Sequence, residues 1–237
     1  KELNELTYKF EDIIIDNTIR HDVLNDDLLS NKKVTQLMLE ERWLRTMDSI
    51  LNVEAKLVDA NCWYTFPPKD KIVNHDEMIN YYDAQIWHRD MDKLRDYKIF
   101  IYLTDCKIDD CGPFELIKNT HKITLDIIKY SFPNSLRIFD KNLKKKYHEK
   151  KFSVYGKIGD SFVVDTTCFH RGTLVKKNNY RCVLELDFSD TSFGKHFKYN
   201  HYFRPKLKKE WDSYELWKKA LSEKPERYKH LFLGSNS

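Results

Sequence analysis

His88 and Asp90 stand two residues apart in a stretch, QIWHRD, that otherwise reads as strand. Titratable groups are costly inside a sheet unless something there needs them. In an extended strand both side chains leave the same face, roughly 7 Å apart along the chain, and can lean together onto one metal ion. Taken alone the pair is weak evidence, because His75 and Glu77 repeat the same spacing. Those two lie in NHDEMIN, which is polar, lacks alternation and reads as a loop or helix start. What lifts His88 and Asp90 is His170, at the end of the late strand-like run GDSFVVDTTCFHRGT. Two histidines and one carboxylate occupy one face of an octahedral Fe(II) and leave the other open, the arrangement used by non-haem iron oxygenases.

Arg181 follows 11 residues after His170, in YRCVLELDF. Strand alternation puts Cys182, Leu184, Leu186 and Phe188 on one face, and Arg181, Val183, Glu185 and Asp187 on the other. The first set packs; the second is polar enough to line a cavity. A guanidinium inside a barrel needs an anionic partner, and its fork suits a carboxylate held through two hydrogen bonds. Each residue has a plainer reading by itself, His170 as a satisfied structural histidine and Arg181 as the partner of Glu185. Together, in order and on strands, they read as one site.

The elements that must position this set are legible in outline. A chain of 237 residues is long enough to bury a substantial core. Aromatic residues at 14% argue against disorder. No apolar run reaches the roughly 18 residues of a membrane span. The N-terminal stretch lacks the apolar core of a secretory signal, and five cysteines without a CxxC pair argue against a disulfide framework or a structural zinc site. The expectation is a cytoplasmic, soluble protein. Helical spacing runs from about Glu11 to Leu51 through Ile13–Ile15, Val34, Leu37, Met38, Trp43, Leu44 and Met47. Strand-like runs follow at KLVDANCWYTF, YYDAQIWHRD, DYKIFIYLT, GPFELI, KFSVYG, GDSFVVDT, CFHRGTLV and YRCVLELDF. The stretch from about Thr120 to Lys150 looks partly helical (KITLDIIKY), and an amphipathic helix from about Trp211 to Ser222 closes the chain. The pattern is α+β, mainly β: a sandwich or barrel of antiparallel strands with helices gathered at the two ends.

The run QIWHRD…YKIFIYLTD…CGPFELIKNTHK…GDSFVVDTTCFHRGT…YRCVLELDF resembles the phytanoyl-CoA dioxygenase family of Fe(II)/2-oxoglutarate-dependent oxygenases, from roughly Asp83 to Ser189. The resemblance implies a cupin-like jelly roll (a double-stranded β-helix) flanked by N- and C-terminal helices. One oxygenase domain would span 1–237, with a helical buttress over 1–55, a β-helix core over 56–190 carrying a lid insertion near 120–150, and a C-terminal helix within 205–230. His88, Asp90 and His170 become the iron ligands, and Arg181 the anchor for the distal carboxylate of the co-substrate 2-oxoglutarate, with O2 as oxidant. Gln85, Tyr102 and Thr173 are candidates for orienting 2-oxoglutarate, although strict alternation puts Gln85 on the face opposite His88 unless a bulge intervenes. Asn119-Thr120-His121 stands where the family has Gly-Ser-His, and reads as a turn or lid. Relatives that halogenate lack the carboxylate ligand, so Asp90 favours hydroxylation.

A small-molecule substrate is expected. The basic stretch Arg137–Lys151 would suit a phosphate, CoA or carboxylate group at the cavity mouth, and a solvated face is the plainer account of it. Three other readings stand beside this one. The chain could be a ligand-binding barrel without turnover, a cupin-like zinc or manganese enzyme, or an oxygenase of protein or nucleic acid. Arg171 and Arg181 lie ten apart, which departs from the paired-arginine signature of nucleic-acid demethylases.

Overall fold

The computed structural model describes residues 19–68, 83–90, 97–121, 137–190 and 204–232. The helical expectation at Ile13–Ile15, the His75/Glu77 pair and the KITLDIIKY segment lie outside them. In chain order, β1 (Arg20–Asp22) leads into α1 (Asn25–Ser30), α2 (Lys32–Met38) and α3 (Glu41–Leu51). Then come β2 (Lys56–Thr65), β3 (Tyr97–Tyr102), β4 (Phe114–Ile117), the short α4 (Lys145–His148), β5 (Lys151–Val154), β6 (Ser161–Asp165), β7 (His170–Gly172) and β8 (Arg181–Ser189). The described chain ends with α5 (Tyr214–Glu223) and α6 (Pro225–Tyr228). Every strand pair is antiparallel, in a five-stranded sheet β1-β2-β8-β3-β6 and a three-stranded sheet β5-β4-β7. The sheets meet through aromatic rings, with Phe100 of β3 and Phe114 of β4 at 5.0 Å between centroids.

Period-two alternation divides the large sheet as YRCVLELDF predicts. Ala60, Leu186 and Ile99 form one cross-strand row of β2, β8 and β3, and Cys62, Leu184 and Ile101 form the next. All six belong to the core beneath the helices. The intervening rows, Asp59–Asp187–Lys98, Asn61–Glu185–Phe100 and Trp63–Val183–Tyr102, lie on the opposite face.

The helices form for local reasons and are held by the sheet. Asn31 caps α2, its side-chain oxygen accepting from the backbone of Lys33 and Val34 at 3.0 Å each. In α3, Trp43, Leu44, Met47 and Leu51 recur at helical spacing and bury one stripe. Asn52, at φ 57, ends it in the left-handed conformation and returns its N–H to Asp48. The chain's two ends are tied at one carbonyl. Leu29 accepts from Trp217 Nε1 at 2.8 Å, from Thr35 Oγ1 at 3.1 Å and from the Ser213 hydroxyl.

Two expectations need correction. The helical reading of 11–51 misses β1, which pairs Arg20 with Thr65 and Asp22 with Trp63. YYDAQIWHRD is not a strand over its described part: Asp83–Gln85 is a 3₁₀ turn, and Trp87 and His88 make only isolated bridges. The helix expected from about Trp211 to Ser222 is α5, and a separate short helix, α6, follows it, with Pro225 starting α6 at a position where its missing N–H costs nothing. No helix among the described residues is long and apolar enough to cross a membrane. All five cysteines are free thiols.

Trp217 is fully buried beneath the helices, so Trp217→Ala removes both its volume and its bond to Leu29. A loss of about 3–5 kcal/mol in urea unfolding is expected. Ile158→Ala, at a residue 52% exposed, should stay within about 0.5 kcal/mol of the parent.

Candidate metal centre

His88 and His170 are partners in one backbone exchange. The N–H of His88 donates to the carbonyl of His170 at 3.0 Å, and His170 returns the bond at 2.9 Å. This sets the two rings 4.3 Å apart between centroids. Each Nδ1 lies 2.9 Å from the carbonyl two residues earlier, Ile86 for His88 and Cys168 for His170. Those bonds select the tautomer that leaves Nε2 for a metal. The Asp90 N–H donates to Thr166 at 3.0 Å, which brings its carboxylate beside both rings. Oδ1 lies 4.0 Å from Nε2 of His88, and Oδ2 lies 3.8 Å from Nε2 of His170. The three ligand atoms fall within 4.8 Å of one another, and no other such group of three occurs among the described residues.

Burial and the neighbouring imidazole push His88 down to about 3, and burial lowers His170 as well. Burial alone would raise Asp90, but the Lys98 ammonium and the two histidines hold it well below the usual carboxylate range. At neutral pH the site therefore presents two neutral imidazoles and one carboxylate. That is the protonation a divalent cation requires, and the donor set suits ferrous iron.

Lys98 is the member that sequence reasoning missed. Its Nζ lies 2.7 Å from Oδ2 of Asp90 and 3.5 Å from Glu185. Glu185 in turn accepts from the Asn61 amide at 3.1 Å. The signal was present: Lys98, Phe100 and Tyr102 alternate in DYKIFIYLT, as Asp59, Asn61 and Trp63 do in KLVDANCWYTF. All six line one cavity of about 550 Å³ with the triad and Arg181.

Arg181 is buried at the end of this cavity, 4% exposed. Its Nη1 donates to the Gly112 carbonyl and its Nη2 lies 3.3 Å from Thr65 Oγ1, while Nε has no hydrogen-bond partner. Glu185, its simplest expected partner, bonds Asn61 and Lys98 instead. Two glycines make room. Gly112 has φ +69, and a Cβ there would lie 2.7 Å from the Thr173 carbonyl. At Gly172 a Cβ would meet Nη2 of Arg181 at 2.7 Å.

The three orienting candidates fare differently. Gln85 sits in a turn rather than a ladder, so the alternation that put it opposite His88 does not apply. It is buried and lines the cavity, its amide nitrogen donating to the carbonyls of Gly172 and Thr173. The Tyr102 ring lines the cavity too, but its hydroxyl donates to Val154 at 2.7 Å and accepts from the Phe114 N–H at 3.2 Å. The Thr173 hydroxyl donates to Pro113 at 2.8 Å, and this residue does not line the cavity.

Of the described residues in the basic stretch, only Arg137 lines the cavity. Asp140 ties the segment down: it accepts from Trp87 at 3.0 Å and from Lys151 at 2.9 Å, and it pairs with Arg171. Arg171 also pairs with Glu115 at 2.7 Å and lies 4.2 Å over the Trp87 ring. The arginine beside His170 is therefore a clamp. Asn119, at φ 63, makes the expected turn, and the Thr120 hydroxyl accepts from Phe169 N–H at 2.9 Å.

No protein-family model matches the chain, and no curated protein sequence does. Solved structures do. The epimerase SnoN, in complex with Fe3+, alpha ketoglutarate and nogalamycin RO, superposes with a TM-score of 0.53 at 10% identity, over 73% of this chain and 64% of its own. This chain thus spans just under two thirds of that protein. HygX from Streptomyces hygroscopicus, with nickel and 2-oxoglutarate bound, gives 0.52 at 15% identity over 80% and 74%. AviO1 from Streptomyces viridochromogenes Tue57 gives 0.51 at 14% identity over 80% of each chain. At these identities the likeness is one of fold.

Lys98→Met should weaken Fe(II) binding about 10- to 100-fold, because the Asp90 carboxylate loses the group that holds it in place. Anaerobic competition against a chromogenic chelator measures this, and unchanged affinity would release Lys98 from the role. The lowered histidines also set a pH dependence. Below about 6.5 the unfolded chain takes up a proton at His88 that the folded chain refuses until about 3. Stability of the metal-free protein should therefore fall as pH drops through that window. Denaturant midpoints should show a shallower pH slope in His88→Gln.

Proposed function

We propose that this chain is an Fe(II)/2-oxoglutarate-dependent oxygenase that oxidises a C–H bond of a small molecule, with hydroxylation as the outcome. One observation carries the reading: an open His-Asp-His face and a buried guanidinium without a carboxylate partner among the described residues share one cavity. A protein that only needed a stable core would gain little by keeping Arg181 there. The fold likeness to SnoN and HygX, solved with iron or nickel and the same keto acid, supports the reading. SnoN's third component, nogalamycin RO, supports a small-molecule substrate. We read the two-sheet core as the double-stranded β-helix of the phytanoyl-CoA dioxygenase family, in one oxygenase domain buttressed by the terminal helices.

His88, Asp90 and His170 would hold the metal on one face. When bound, iron and 2-oxoglutarate supply the oxidising power: dioxygen is consumed, the keto acid leaves as succinate and CO2, and a substrate C–H bond is oxidised. Arg181 takes the far carboxylate of the co-substrate, with its neutral hydrogen bonds to Gly112 and Thr65 fixing the angle of the fork. The missing side chain of Gly172 leaves room for the Arg181 fork, and Gln85 braces that strand on the same side. Lys98 keeps the Asp90 carboxylate from rotating away through its bond to Oδ2. The ring wall of Phe100, Phe114 and Phe162 excludes water and strengthens each charge interaction inside.

The test is anaerobic addition of Fe(II) and 2-oxoglutarate to the purified protein, recording the weak visible charge-transfer band of the chelate. The band should require both additions and vanish in Asp90→Ala. Arg181→Ala and Gly172→Ala should each raise the 2-oxoglutarate requirement about 10- to 100-fold, as expected for losing ~1.5–3 kcal/mol of hydrogen bonding to a charged group. Iron binding without the band would overturn the proposal.

A further inference from the structure

The cavity wall is graded. Across β2, β8 and β3 the rows of this face run from Thr65–Arg181, through the largely aromatic Trp63–Val183–Tyr102, to Asn61–Glu185–Phe100 and Asp59–Asp187–Lys98, all but Thr65 and Asp187 lining the cavity. If the Arg181 end receives 2-oxoglutarate, as proposed above, the far end is left for the molecule to be oxidised. From this geometry we infer that the Asp59–Asn61–Glu185 end is the substrate subsite, and that it takes a polyhydroxylated, sugar-like molecule.

The wall chemistry points that way. Two carboxylates and an amide stand on adjoining strands about 4.8 Å apart. A carboxylate accepts from two hydroxyls and an amide both donates and accepts, so this row matches neighbouring hydroxyls on a ring. Trp63 and Phe100 meet edge to face at 6.3 Å beside it, offering apolar surface to the C–H face of such a ring. Asp90 reaches this end through Lys98, so a ring held here lies next to the metal face.

An anion is a poorer match. The cations at this end are already engaged: Lys98 by Asp90 and Glu185, and Arg20 by Asp22 at 2.6 Å while it stacks 4.0 Å over Trp63. Arg204 donates to the Val58 carbonyl at 3.3 Å and lies beside Asp59. Arg137 lines the cavity on the His88 side and does not belong to these three strands. None of the basic stretch's lysines lines the cavity, and three are engaged elsewhere, Lys141 over Phe139, Lys146 over Tyr147 and Lys151 onto Asp140. A phosphate or carboxylate placed here would meet Asp22, Asp59 and Glu185 with each cation committed to another group.

The experiment pairs two readouts on the full chain. Ligand-observed saturation-transfer NMR is run with a panel of neutral and amino mono- and disaccharides, and with octanoyl-CoA and inorganic phosphate as anionic probes. The chelate band is recorded on the same preparation. At least one sugar should bind, and Asn61→Leu should weaken it tenfold or more. Asp59→Asn, which preserves shape, should do the same and guards against a misfolded Asn61 variant. A sugar that binds should also stimulate succinate release from the iron-loaded protein. With the band present, no sugar binding, or octanoyl-CoA or phosphate binding in its place, would overturn the inference and leave the cofactor reading intact. With no band, sugar binding that depends on Asn61 and Asp59 would uphold the subsite and sink the cofactor reading. Sugar binding indifferent to both variants would place it outside this wall and overturn the inference.

Discussion

Strand β8 has neighbours on both edges and buried residues along its whole length, and the rest of the molecule answers to that constraint. Its peptide groups are spent on two ladders, so neither edge can face water. Both faces must then be covered. Cys182, Leu184, Leu186 and Phe188 call for an apolar layer, which the N- and C-terminal helices provide. Arg181, Val183 and Glu185 call for a polar interior, which the second sheet encloses. A slip of one residue would exchange the two sets and bury a guanidinium among methyl groups. The pattern of this strand therefore fixes where the core ends and where the cavity begins.

The interior so created is expensive, and the chain offsets the cost pair by pair. Lys98 serves Asp90 and Glu185 at once, and Asn61 fills a further acceptor position of Glu185. Arg171, Glu115, Asp140 and Lys151 form a second network that fastens the segment after residue 137 to β4 and β7. Such networks add little net stability when buried, but they are costly to half-break, so they fix geometry. The same logic separates the two arginines ten residues apart. Arg171 is surrounded by carboxylates and serves structure, whereas Arg181 bonds neutral oxygens among the described residues.

Much of this was legible in residue order. Strand-like runs marked β2, β3 and β8, alternation gave the correct faces of β8, and the spacing of Trp43, Leu44, Met47 and Leu51 gave α3. The stretch around His88 was misjudged because apolar and polar residues alternate there without forming a ladder. The backbone instead makes a 3₁₀ turn and then a bridge to His170. That turn carries Gln85 into the cavity, against the alternation rule. β1 was invisible because three residues carry no period, and its partner β2 lies some forty positions away.

The sequence by itself determined the chemical inventory: two histidines, an aspartate and an arginine on polar faces of strand-like runs, because side-chain type and period two are local properties. It also determined which face of β8 is apolar. Only the tertiary structure decided that His88 and His170 exchange backbone hydrogen bonds, that Lys98 and not Arg171 touches the Asp90 carboxylate, and that Arg181 is left with an unpaired Nε. Those facts depend on which distant strands become neighbours. Pairing of that kind is set by the joint burial of the whole chain, and no short stretch of residues encodes it.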